Sequence, residues 1–216
     1  MKIAVMVSGG GSNLQALIDA QNAGKLGGMI VKVISSSASA YALKRAASYS
    51  IASEVVERGD YANRAEYDEA VLSAMDSSGA ELFVLAGYMQ ILSEKAVSKY
   101  RNRIINIHPS LIPSFCGMGY FSAKVHQSVI EYGCKVSGAT VHFVDEGADT
   151  GPIIMQRTAP VLEDDDAKTL QQKILKLEHD MLPEAVALIA SGRVRVIGRR
   201  VYVGEDKKAV VKEAIE

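Results

Sequence analysis

Short runs of apolar, mostly β-branched residues recur at 3–7, 30–34, 54–56, 82–86 and 104–107, alternating with stretches in which apolar residues return at helical spacing. Continuous apolar runs suit strands covered on both faces, whereas an apolar stripe marks a helix lying against a sheet. Several helical stretches carry start signals. Ser12 and Asn13 precede Leu14-Gln15-Ala16-Leu17-Ile18 with Gly24 beyond, Asn63 stands three residues before Glu66, and Ser93 precedes Glu94-Lys95-Ala96-Val97. A side-chain oxygen at a helix start accepts a backbone N–H that the first turn leaves over, so these residue types mark the boundary. The β-α-β rhythm predicts an α/β protein built on a doubly wound, mostly parallel sheet.

Beyond Pro109 the texture changes. A loop with Pro113, Gly117 and Gly119 leads to a predicted helix over 123–132, then to strands over 136–144 and 153–156, with turn signals at Gly133 and Gly147. Partial alternation in Thr140-Val141-His142-Phe143 and Ile153-Ile154-Met155-Gln156 predicts some antiparallel pairing toward the C-terminus. A helical pattern over 166–190 is expected to break or kink at Pro183, because proline lacks the N–H and clashes with the preceding turn. Residues 192–203 read as a small basic hairpin turning at Gly198, with a charged tail over 204–216 following a single domain of 1–203.

Composition narrows the functional classes. Of 216 residues, 48% are hydrophobic and 23% charged, which fits a packed globular protein of roughly one domain. Lys and Arg number 24 against 25 Asp and Glu, a net charge of −1 that gives the chain no overall attraction to nucleic acid or to an anionic membrane. Any phosphate it binds must be held locally. The run at 3–7 is shorter than the roughly 7–15 residues of a signal core, and no stretch reaches the roughly 18 apolar residues of a membrane span. A cytoplasmic, reducing setting is expected, with Cys116 and Cys134 as buried thiols.

A local phosphate site is suggested by Ser8-Gly9-Gly10-Gly11-Ser12-Asn13, between a predicted strand and a predicted helix. Glycines let backbone N–H groups approach an anion, and the helix start adds partial positive charge. The pattern lacks the Gly-Lys-Ser/Thr ending of a P-loop. In a dinucleotide fingerprint Leu14 would have to be the third glycine, and Ser35 to Ser39 stand where the acidic ribose ligand belongs. A terminal monophosphate fits better; a plain turn with Ser12 or Asn13 capping the helix is the structural alternative.

Chemistry is suggested further on. In Asn106-Ile107-His108-Pro109, alternation puts Asn106 and His108 on one side of a strand, at the carboxyl end where open α/β sheets bind ligands. Two polar groups in an otherwise apolar strand need partners to offset their desolvation. Asp149 lies in the turn Asp145-Glu146-Gly147-Ala148-Asp149-Thr150-Gly151-Pro152 and could aim into the same crevice, although turn acids usually serve the backbone. An amide, an imidazole and a carboxylate, with no Ser or Cys in a nucleophile elbow, suit acyl transfer to an amine that is itself the nucleophile. The four histidines never fall at i, i+4, so no metal is expected. Arg193, Arg195, Arg199 and Arg200 read as a solvated hairpin face.

Taken in order, Ser8 to Gln15, Leu85-Ala86-Gly87-Tyr88-Met89, Asn106 to Pro113, His142 to Gly147 and Asp149 to Pro152 closely resemble the folate-dependent phosphoribosylglycinamide formyltransferases of purine synthesis, over about residues 2–203. The resemblance implies a Rossmann-like formyltransferase fold. It implies transfer of a formyl group from the co-substrate 10-formyltetrahydrofolate to the amine of glycinamide ribonucleotide through a tetrahedral intermediate, with small-molecule partners only and a homodimer left open. Gly11, Ser12 and Asn13 would hold the acceptor's phosphate, with Arg64 nearby, and Glu178 its ribose hydroxyls. Met89, Gln90, Ile91, Leu92, Asp145 and Glu146 would line the folate site, and Asn106, His108 and Asp149 match the catalytic trio. Two departures stand out: Gln90 replaces a commonly basic residue, and 114–121 replaces a shorter loop. Hydrolysis of formyltetrahydrofolate is the rival enzyme reading, although the chain is expected to lack that hydrolase's N-terminal regulatory domain. A non-enzymatic sugar-phosphate sensor is the other; it leaves the trio idle.

Overall fold

A computed structural model describes residues 1–204, and its contacts divide the chain into two compact units, Met1–Ile105 and a second starting at Asn106. Most of the sequence-set tail lies outside the described residues. The first unit runs β1 (Lys2–Val7), α1 (Ser12–Asn22), β2 (Met29–Ser35), α2 (Tyr41–Ser48), β3 (Ser53–Val55), a 3-10 turn (Arg58–Asp60), α3 (Arg64–Ser77), β4 (Leu82–Leu85), α4 (Glu94–Lys99) and the start of β5 (Ile104–His108). β1 pairs in parallel with both β2 and β4, and β2 with β3. Ile3, Ala4, Val5, Met6 and Val7 are all fully buried, which is why this strand reads as an unbroken apolar run. Two of the start signals act as side-chain caps: Asn63 accepts from the Glu66 N–H at 2.9 Å, and Ser93 from that of Ala96 at 3.3 Å. α1 differs, since Gly11 occupies its cap position in left-handed backbone (φ 71°) and no side chain caps it. α2 carries no side-chain cap and escapes the sequence pattern.

The second unit contains the rest of β5, then α5 (Ala123–Tyr132), β6 (Val136–Phe143), β7 (Ile153–Pro160), α6 (Ala167–Ala190), β8 (Val194–Ile197) and β9 (Arg200–Val203). β6 and β7 pair antiparallel, as their partial alternation predicts, and β8 and β9 form the separate two-stranded hairpin. α6 is not broken at Pro183: it runs for 24 residues with the proline inside it. Its buried stripe, Leu170 and Ile174 before the proline and Ala185 and Val186 after it, packs on both sides of the missing hydrogen bond and offsets a loss of about 3 kcal/mol. The large sheet has the order β3-β2-β1-β4-β5-β6-β7, a mostly parallel, doubly wound arrangement. The order reverses between β1 and β4, and ligands favour such a switch point at the carboxyl ends of the strands. No described helix is long and apolar enough to cross a membrane.

Candidate active site

The glycine loop leaves β1 at that switch point. A Cβ at Gly11 would lie 2.6 Å from the Ala42 Cβ, so neither the backbone angle nor the space tolerates a side chain there. At Gly9 and Gly10 a Cβ would meet nothing within 4 Å, so this stretch of backbone is open. Arg45 of α2 steadies the loop, donating from Nε to the Gly10 carbonyl at 2.9 Å and from its terminal nitrogen to the Gln15 side chain at 3.0 Å. Ser12 opens α1, and Asn13 is buried (8% exposed). The loop therefore offers a helix N-terminus with a guanidinium beside it, a setting that favours an anion.

The segment 89–92 is tied to the same loop within this unit. Ser8 Oγ accepts the Met89 N–H at 2.8 Å and lies 2.5 Å from the Ser36 hydroxyl. Arg64 pairs with Asp68 at 2.7 Å and donates to the Ile91 carbonyl at 2.5 Å. Met89 and Ile91 are exposed, Gln90 is half-buried and Leu92 is buried. Exposed apolar side chains on a braced loop suit a flat aromatic ligand.

In the second unit Asn106, His108 and Asp149 converge. Asp149 Oδ1 accepts from the Asn106 amide at 3.3 Å, while Oδ2 accepts the Gly117 N–H at 2.9 Å and lies 3.4 Å from His108 Nδ1. His108 is almost fully buried (4% exposed), and its Nε2 meets the Phe115 carbonyl at 2.9 Å. Both ring nitrogens thus face oxygen acceptors. His142, whose role the sequence leaves unassigned, completes the group. Its Nδ1 lies 2.8 Å from the Phe143 carbonyl, and its Nε2 lies 3.2 Å from the Asn106 amide nitrogen and 3.6 Å from Asp149 Oδ1. The signal for it was present in the sequence, a histidine inside the apolar run of β6. The Gly117 N–H and Phe115 carbonyl have no such signature, because every residue carries a backbone.

The electrostatics agree with an ionised carboxylate. Burial acts to raise the Asp149 pKa, but the His142 ring, the charge on His108 and the Gly117 N–H outweigh it and hold the carboxyl below its ordinary 3.8. The Cys116 thiol, by contrast, is pushed up by burial and by the Asp149 charge. Cys116 and Cys134 are free and half-buried rather than buried. Asp145 is occupied inside its turn, accepting from the Gly147 N–H at 3.2 Å and the Thr150 hydroxyl at 2.5 Å, and Glu146 is exposed. Glu178 lies buried on α6 (8% exposed). Among the described residues, no three His, Cys, Asp or Glu side chains gather as a metal site would require.

The formyl transferase family model matches residues 1–186. This chain belongs to the formyl transferase family. It is 37% identical to phosphoribosylglycinamide formyltransferase of Haemophilus influenzae, across 98% of this chain and 96% of that protein. It is 44% identical to the trifunctional purine biosynthetic protein adenosine-3 of Drosophila pseudoobscura pseudoobscura; the match takes in 98% of this chain but only 15% of that longer protein. The crystal structure of glycinamide ribonucleotide transformylase 1 from Symbiobacterium toebii superposes with a TM-score of 0.90 at 40% identity, covering 95% of this chain and 94% of the other. In this formyl transferase both the glycine loop and the Asn106, His108 and Asp149 cluster fall inside the family match, and the β8–β9 hairpin falls outside it.

Proposed function

We propose that this chain transfers a formyl group from 10-formyltetrahydrofolate to the amine of glycinamide ribonucleotide in purine synthesis, acting in the cytoplasm on these two small molecules. The observation that carries the reading is the Asp149 carboxylate, which accepts from Asn106 and Gly117 and stands beside His108. The folate supplies an acyl carbon with a nitrogen leaving group; the residues supply the rest. As the acceptor amine attacks, the formyl oxygen gains charge and competes, as an ionic acceptor, for the His108 Nε2–H and the Asn106 amide that Phe115 and His142 now hold. Asp149 stands 3.4 Å from His108 Nδ1, where it orients the ring, and takes up the amine proton for delivery to the leaving nitrogen. The raised Cys116 pKa disfavours its thiolate, in keeping with the amine as the nucleophile.

In this reading Gly11, Ser12 and Asn13 hold the acceptor phosphate and Glu178 the ribose hydroxyls. Met89 to Leu92, with the turn of Asp145 and Glu146, meets the folate. Tetrahydrofolate formation, followed with and without glycinamide ribonucleotide, tests it. Formation only when the acceptor is present is the expected result; formation without it indicates a hydrolase, and none in either case indicates a sugar-phosphate sensor.

A further inference from the structure

Asp149 adopts a left-handed backbone (φ 57°), which non-glycine residues take rarely and keep only where the surroundings fix them. Three contacts fix this turn. Asp145 ties the Gly147 N–H and the Thr150 hydroxyl. Gly151 passes so close to the Phe143 carbonyl that a Cβ would lie 1.8 Å from its oxygen, which pins the chain as it enters β7. The third contact comes from the basic hairpin that the sequence leaves as a solvated face. Arg199, in the turn between β8 and β9, donates to the Thr150 carbonyl at 2.8 Å. That carbonyl lies in the Thr150–Gly151 peptide plane, so holding it restrains the backbone of Thr150, the residue directly after the one that bears the carboxylate.

We propose that Arg199 is a positioning residue for the transfer reaction: by holding the Thr150 carbonyl it keeps the turn in the conformation that aims the Asp149 carboxylate at Asn106 and His108. The catalytic consequence rests on the role proposed above for Asp149; the brace itself does not. The hairpin begins at Val194, beyond residue 186 where the family match ends, so it would be an adjustment of the reaction by a part of this chain outside that match. A lysine at 199 keeps a cationic donor for one carbonyl, whereas a methionine keeps the bulk and loses the bond.

The test uses the full chain with Arg199→Met, Arg199→Lys and, as a control on the same hairpin, Arg200→Met. Hydrogen exchange of the amides in 145–151 reads the brace without any substrate. Arg199→Met should speed that exchange and lower kcat by about 3- to 10-fold, the size of one hydrogen bond, with KM for glycinamide ribonucleotide unchanged. Arg199→Lys should recover most of both, and Arg200→Met should match the unaltered chain. In an Asp149→Asn background, Arg199→Met should cause little further loss of kcat, because the two act as one unit. Unchanged exchange in a folded Arg199→Met protein overturns the brace. A fully additive loss of kcat, or an equal effect of Arg200→Met, overturns the positioning role. Should the unaltered chain transfer no formyl group, the reading of function fails, while exchange still decides whether Arg199 holds the turn.

Discussion

At position 149 the turn demands left-handed backbone and the chemistry demands a carboxylate, and one substitution separates the two. Asparagine adopts that backbone readily and preserves the shape of the turn, but it can neither hold a charge beside His108 nor take up a proton. Asp149→Asn should therefore lower turnover by about 10²- to 10⁴-fold while both ligands still bind. Asp145→Asn keeps an oxygen acceptor for the Gly147 N–H and the Thr150 hydroxyl, and should have a far smaller effect on steady-state turnover. Near-normal turnover in Asp149→Asn would remove the carboxylate from the mechanism. The glycine loop allows a second separation. Gly10→Ala adds a methyl group into open space, so the fold should be kept while KM for the phosphorylated acceptor rises and that for the folate does not. Gly11→Ala drives a Cβ against Ala42 and should lower thermal stability as well. An equal rise in both KM values for Gly10→Ala would mean that the loop does not serve the acceptor. Asn106 and His108 were legible in the sequence because polar residues at the end of an apolar strand break its pattern. Arg64 was placed by resemblance alone, since spacing does not show that its guanidinium meets Asp68 and the Ile91 carbonyl.

At the scale of elements, α5 carries a titratable group that nothing in the proposed mechanism uses. His126 is buried on its inner face, and its Nδ1 has no hydrogen-bond partner among the described residues. Burial, with the charge of His108 adding to it, lowers its pKa from 6.5 to about 4. The unfolded chain therefore binds this proton first, and stability present above pH 6.5 declines as the pH falls toward about 4. Asp149 acts in a separate window: its contribution is present above its unfolded value of 3.8 and is lost as the pH falls through its lower folded value. Melting temperatures across this range should fall less steeply for His126→Leu than for the unaltered chain between pH 6.5 and 4; parallel curves would show that His126 does not govern the acid limb. The helix starts at Asn63 and Ser93 were readable because their oxygens cap backbone N–H groups. α2 was not, since Ala40 begins it without a cap, and the unbroken α6 was not, since packing on both sides of Pro183 outweighs a local rule.

For the molecule as a whole, the β-α-β rhythm was enough to predict a doubly wound sheet, because a strand covered on both faces must be apolar at every position. The division of the chain at Asn106 leaves no mark in composition, since β5 runs through it without a linker. The account gives the glycine loop of the first unit the acceptor's phosphate and the Asn106, His108 and Asp149 cluster of the second unit the transfer of the formyl group. Its central claim is that this group passes directly to the acceptor amine and never to water. The most direct measurement incubates the purified chain with 10-formyltetrahydrofolate carrying a carbon-13 formyl group, glycinamide ribonucleotide and an excess of unlabelled formate, and follows all species by mass spectrometry. The account predicts labelled formylglycinamide ribonucleotide in step with tetrahydrofolate, and a formate pool that stays unlabelled. Label accumulating in formate while the ribonucleotide remains unmodified would contradict it.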